Sequence, residues 1–116
     1  VEAGADIVFP EALETKEEFK EVALNVKAPL LANMTEFGKT PYITLEEFRD
    51  LGYKIVIYPV SALRAANYAI KKTFEYIKEH GTQKGILDQM QTRQELYELI
   101  KYSEYEDFDK AIFEKK

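Results

Sequence analysis

The stretch Leu31-Ala-Asn-Met-Thr-Glu-Phe-Gly-Lys-Thr-Pro41 decides how this chain folds. Its opening residues are apolar and read as the end of a strand. An amide, a hydroxyl and a carboxylate follow at Asn33, Thr35 and Glu36, and Gly38 and Pro41 end the loop. Ligands of parallel α/β folds bind at the carboxyl ends of strands. Hydrogen-bonding side chains gathered at such an end read as a binding loop.

Working outward, residues 29–34 (PLLANM) are one of three short apolar runs, with residues 5–10 (ADIVFP) before and 54–59 (KIVIYP) after. The runs start 24 and 25 residues apart, the length of one strand plus one helix. Each is apolar on consecutive residues, as a strand covered on both faces requires. Helix starts lie between them. Thr15-Lys-Glu-Glu18 and Thr44-Leu-Glu-Glu47 are capping boxes, for helices running to about Asn25 and to Gly52. Ser61 can cap a helix over 62–79, in which Leu63, Ala66, Ile70, Phe74 and Ile77 recur at helical spacing before Gly81 stops it. Thr92-Arg-Gln-Glu95 and Ser103-Glu-Tyr-Glu106 open two more short helices rich in tyrosine.

The order β-α-β-α-β-α suits a Rossmann-like sheet or part of a (β/α)8 barrel. No G-x-G-x-x-G or Walker pattern is present, which lowers the nucleotide-binding version. Three strands alone would leave edges and faces uncovered. The expected architecture is therefore α/β: the last three βα units of a barrel over residues 1–80, then a helical C-terminal extension over 81–116.

With 116 residues, 46% of them hydrophobic, the chain suits one small globular domain. It opens at Val1 on strand-like sequence, which reads as the interior of a domain. No apolar run approaches the roughly 20 residues of a membrane span, and no cationic leader marks secretion. The absence of cysteine excludes a disulfide framework and a thiolate zinc site within these residues. A single histidine, His80, argues against a histidine metal centre or a Ser/His/Asp triad, and a net charge of −5 argues against a nucleic-acid surface.

The candidate site residues lie at strand ends: Glu11 after the first run, Asn33 and Thr35 after the second, and Arg64 one turn beyond Ser61 after the third. On a barrel these ends share one rim. Each also has a plainer reading: a solvated acid for Glu11, a turn residue for Asn33, a local backbone cap for Thr35 and a surface ion pair for Arg64. Arg93 stands at the first position of a helix, where its charge opposes the dipole. Such an arginine answers either an anionic ligand or an acid such as Glu95 or Glu98. His80 reads as a surface residue compensating a helix C-terminus, and Tyr97, Tyr102 and Tyr105 as packing or interface residues.

Residues 3–12 (AGADIVFPEA), 29–41, 58–65 (YPVSALRA), 81–84 (GTQK) and 90–97 (MQTRQELY) carry a further pattern. Taken together they resemble the C-terminal part of the methylisocitrate lyases, within the isocitrate lyase and phosphoenolpyruvate mutase superfamily. The resemblance implies a (β/α)8 barrel, a cytoplasmic homotetramer with helices swapped between subunits, and Mg2+-dependent cleavage of a tricarboxylate into pyruvate and succinate. It assigns substrate contacts to Glu11, Asn33, Met34, Thr35, Arg64 and Arg93. It puts the metal ligands and the catalytic cysteine upstream of residue 1, so no catalytic or metal-binding residue is expected in this chain and the chain alone is expected to be inactive. Other superfamily activities (isocitrate lyase, phosphonomutase, oxaloacetate decarboxylase) and a non-catalytic oligomerisation module remain the alternatives.

Overall fold

The computed structural model describes residues 1–114, an α/β chain with a small parallel sheet. Helix α1 spans Lys16–Asn25 and α2 spans Leu45–Leu51. Both start where the sequence places a threonine cap. Thr15 Oγ1 accepts from the Glu18 amide at 3.2 Å while the Glu18 carboxylate accepts from the Thr15 amide. Thr44 and Glu47 repeat the reciprocal pair. Each box satisfies amides that have no partner inside the helix. Gly52 ends α2 at φ 96°, a left-handed conformation that glycine adopts without strain.

Strand β1 (Leu31–Asn33) pairs in parallel with β2 (Ile55–Ile57), Ala32 opposite Val56. The first apolar run does not form a full strand. It contributes one parallel bridge, Val8 to Leu30, in which the Val8 amide donates to Pro29 and the Val8 carbonyl accepts from Leu31. A chain reversal at Gly4 precedes this bridge, and Pro10, which has no amide proton, follows it. The parallel segments thus lie side by side in chain order, Val8 then β1 then β2.

The core lies where α1 and α2 cover this sheet. Phe19, Leu30, Ala32, Met34, Ile43, Phe48 and Tyr53 are buried together. Phe19, Phe48 and Tyr53 meet edge to face at 5.2–5.7 Å, and the Tyr53 hydroxyl donates to the Phe19 carbonyl at 3.2 Å. Burial pushes the Tyr53 phenol above its ordinary value.

Helix α3 covers Ser61–His80, a 3-10 segment covers Lys84–Gln89, and α4 (Arg93–Leu99) and α5 (Tyr102–Phe113) complete the described chain. Thr92 caps α4 through the expected box. Two local expectations fail. Ser61 lies inside α3 and turns its hydroxyl to the Glu36 carboxylate. Helix α5 begins at Tyr102, before the Ser103 box, because Lys101 takes a left-handed conformation (φ 53°) and its amide closes on the Glu98 carbonyl. The chain separates into two compact units, Val1–Ala69 and Ile70 onward, with the boundary inside α3. In the second unit Ile86 is buried, the His80 ring stacks on Tyr76 at 4.1 Å, and Tyr97 stacks on Tyr102 at 4.5 Å.

Candidate substrate-binding site

In the first unit, the segments that follow Val8 and β1 enclose a cavity of about 280 Å³. Glu11, Asn33 and Thr35 line it together with Phe9, Ala12 and Thr40. Alternation along the strand explains the selection. Ala32 and Met34 face the core, so Asn33 and Thr35 face the opposite side. Thr40 Oγ1 donates to the Leu13 carbonyl at 2.7 Å and ties the two loops together across the cavity. Ala12 (φ 60°) and Phe37 (φ 63°) are left-handed although neither is glycine. Such a conformation costs on the order of 1 kcal/mol or more for an L-residue and is held by its surroundings.

Thr35 and Asn33 act as one unit. The Thr35 hydroxyl donates to Asn33 Oδ1 at 2.7 Å. The amide oxygen is therefore used, and the amide nitrogen remains to donate to a ligand. Glu11 is the one carboxylate among the lining residues. Met34 differs from its neighbours. Its side chain is 5% exposed in the core and its amide donates to the Ile57 carbonyl at 2.8 Å, which leaves only main-chain oxygen for a ligand.

Arg64 does not line this cavity. It stands beside the same loop, one turn into α3. Its Nη1 donates to Glu36 Oε2 at 2.6 Å and to the Glu36 carbonyl at 3.2 Å. Ser61 donates to the other carboxylate oxygen of Glu36. The Phe37 ring lies under the guanidinium, 5.4 Å from its carbon. The Ser61 hydroxyl foremost, then the Glu36 main chain and Arg64, hold the Glu36 carboxyl below the usual carboxylate range. Sequence reasoning missed this use of Glu36, although the residue stands in the loop that it marked as functional.

Arg93, in the second unit, opens α4 and lines a separate cavity of about 690 Å³ with Tyr97, Glu98, Lys101 and Tyr102. Neither local acid takes it. Glu95 accepts from the Thr92 amide and hydroxyl at 2.7 and 2.8 Å, and Glu98 accepts from Gln94 at 3.0 Å. Among the described residues Arg93 has no ion pair. The described residues also contain no group of three or more His, Cys, Asp or Glu side chains able to hold a metal. No helix among them is long and apolar enough to cross a membrane.

The chain is similar to known proteins in sequence and in fold. Over 115 residues, 99% of its length, the chain is 60% identical to a 2-methylisocitrate lyase of Aeropyrum pernix. It is 56% identical over 112 residues to the 2-methylisocitrate lyase of Bacillus subtilis. The chain spans 37% of the length of each of these relatives. Among solved structures, 2,3-dimethylmalate lyase, a member of the PEP mutase/isocitrate lyase superfamily, superposes with a TM-score of 0.83 at 33% identity. That match covers 96% of this chain and 39% of the other. An oxaloacetate acetylhydrolase bound to oxalate gives a TM-score of 0.80 at 30% identity, over 96% of this chain and 38% of the other. Residues 1–78 match the phosphoenolpyruvate phosphomutase family. With that match over most of its length, the chain belongs to the phosphoenolpyruvate phosphomutase family.

Proposed function

We propose that this chain supplies the substrate-carboxylate-binding part of a 2-methylisocitrate lyase. The observation that carries the reading is the convergence of Glu11, Asn33 and Thr35 on one cavity beyond parallel strand ends, in a chain so similar to lyases of that name. The proposed reaction is a retro-aldol cleavage. The substrate hydroxyl loses its proton, the adjacent C–C bond breaks, and the alkoxide becomes the carbonyl of pyruvate. The bonding pair passes to the other fragment as an aci-carboxylate, which takes a proton to give succinate.

Each residue type suits a place in that chemistry. The Asn33 amide nitrogen donates to oxygen that gains charge in the transition state, and Thr35 orients it. One preorganised donor of this kind is typically worth about 3 kcal/mol. Glu11 accepts from the substrate hydroxyl. Arg64 and Arg93 clamp carboxylates, for which the planar guanidinium is better shaped than an ammonium. Met34 contributes main chain only.

Mg2+, held by residues outside this chain, would polarise the hydroxy-acid end of the substrate when bound. The donor set here does not fit a metal centre, since the cavity holds a single carboxylate. We assign Mg2+ and the catalytic acid and base to residues outside this chain, and no step described here passes through the metal. In the same reading residues 1–80 are three βα units of a (β/α)8 barrel, and 81–116 are an extension swapped between subunits of a cytoplasmic homotetramer.

The test is pyruvate release from 2-methylisocitrate by the full protein that carries these residues. Cleavage that drops by about two orders of magnitude in Asn33→Ala supports the reading. Turnover confined to a phosphonate or to oxaloacetate would replace it with another activity of the superfamily. The isolated 116-residue chain is expected to release no pyruvate. Large apolar residues exposed in the second unit, Phe74 and Phe108 among them, favour a second reading as an oligomerisation module. Arg64→Ala and Arg93→Ala separate the two. Lost turnover with intact assembly supports the lyase; lost assembly with unchanged turnover supports the module.

A further inference from the structure

We propose that Glu36 is the positioning residue for Arg64, presenting one fixed edge of its guanidinium to a substrate carboxylate. The inference deepens the lyase reading above and rests on it. Arg64 stands on α3, while Glu36 comes from the loop after β1, so their contact joins two strand ends. Both hydrogen bonds from Arg64 to Glu36 use Nη1, one to the side chain and one to the main chain. A guanidinium has five donors in a rigid fork. With Nη1 occupied, the Nε–Nη2 edge is the pair left to meet a carboxylate side-on.

Three further features fix this arrangement. Ser61, one turn before Arg64 on the same helix, donates to the second oxygen of Glu36, so the carboxylate is gripped from both sides. The left-handed Phe37 turns the chain so that the Glu36 carbonyl and carboxylate reach the same nitrogen. The Phe37 ring then covers one face of the guanidinium. Arg64 is 43% exposed, and a long side chain that open to water would sample many rotamers without such an anchor. Glu36 itself touches no substrate in this proposal. It lowers the entropy lost when Arg64 closes on its ligand.

The experiment measures KM and kcat for 2-methylisocitrate in the full protein, with Glu36→Ala, Glu36→Gln, Ser61→Ala, Arg64→Ala and the double variant Glu36→Ala/Arg64→Ala. The dissociation constant of succinate is measured in each by calorimetry. Glu36→Ala is expected to raise KM and the succinate constant about tenfold with little change in kcat, because orientation of a non-reacting carboxylate is lost. Glu36→Gln keeps an acceptor for Nη1 and recovers most of that loss. Ser61→Ala leaves Glu36 on Arg64 and gives a smaller rise. In the Arg64→Ala background, Glu36→Ala adds nothing. The proposal is overturned by an unchanged KM in Glu36→Ala, or by an equal loss with and without Arg64. A wild-type protein that binds succinate but does not cleave 2-methylisocitrate sinks the lyase reading alone, and the succinate constants then decide the Glu36 proposal. A wild type that binds no succinate overturns both.

Discussion

The two units of this chain use the same local grammar and differ in what they bury. Val1–Ala69 and the unit from Ile70 onward each contain a Thr-x-x-Glu capping box in which the threonine accepts from the glutamate amide and the glutamate accepts from the threonine amide. Both carry apolar residues at helical spacing. Yet the first unit gathers seven buried side chains, an aromatic triple among them, while Ile86 is the buried residue of the second among those described. Capping and periodicity choose a helix; a core exists only where a sheet and two helices close on one another. The first unit has that closure, and its loops are held firmly enough to shape a cavity. The second presents Phe74, Leu99, Phe108 and Phe113 to solvent, each at least 66% exposed. An exposed apolar surface of that kind marks a place where another surface belongs.

The largest expected effect tests this contrast directly. Phe48 is fully buried, and Phe48→Ala is expected to destabilise the chain by about 3–5 kcal/mol, read from the urea midpoint. Phe108 is 68% exposed, and Phe108→Ala should stay within about 0.5 kcal/mol. Equal costs would break the comparison and show that α5 is covered in solution. Repeating the pair at rising protein concentration sharpens it, since cover supplied by a second copy makes the Phe108 cost grow with concentration.

Next in size come the caps. Thr44→Ala removes the acceptor for the Glu47 amide and should cost about 1 kcal/mol of global stability, because α2 is packed on the core through Phe48. Thr92→Ala removes an equivalent bond from α4, which has no buried residue. It should lower helical circular dichroism and leave the urea midpoint where it was. A midpoint shift as large as that of Thr44→Ala would mean that the second unit contributes to the same cooperative transition as the first.

These contrasts show why part of the structure was legible and part was not. The caps at Thr15, Thr44 and Thr92 need only residues three apart, so the chain declares them. Strand extents depend on neighbours, and the run at 5–10 shrank to a single bridge at Val8. Asn33 and Thr35 share the cavity face because of strand alternation, and the same alternation assigns Met34 to the core. Burial of the Met34 side chain leaves its main chain as the part that meets the loop. The Glu36–Arg64 pair joins residues 28 apart, and no periodicity connects them. The Ser103 box lost to a left-handed Lys101, a conformation fixed by how α4 ends rather than by the residues of α5.

The smallest effect concerns charge. The Lys16 ammonium, 2.7 Å away, acts first on Glu47; the amide and hydroxyl of Thr44 add to it, and the carboxyl is pulled down from 4.5 to about 2. The folded value lies below the unfolded one. Stability from this group is therefore complete above about pH 4.5 and drains away as pH falls toward 2. Lys16 lies on α1 and Glu47 on α2, so the loss falls on the packing of the aromatic core. The ammonium and carboxylate are 47% and 40% exposed, so water and salt weaken the pair and the change is modest. Glu75 in the second unit is also lowered, by Lys72 first, but both stand on α3, and its protonation should loosen only that helix. Acid titration followed by hydrogen exchange of the Phe48 amide, which is bonded to the Thr44 carbonyl beside the core, separates the two. Lys16→Met should move the core transition to higher pH, less so in high salt, while Lys72→Met should leave it in place. A core transition that ignores Lys16→Met would assign the depression of Glu47 to Thr44 alone, and the two helices would then be held together by Phe19, Phe48 and Tyr53 without help from charge.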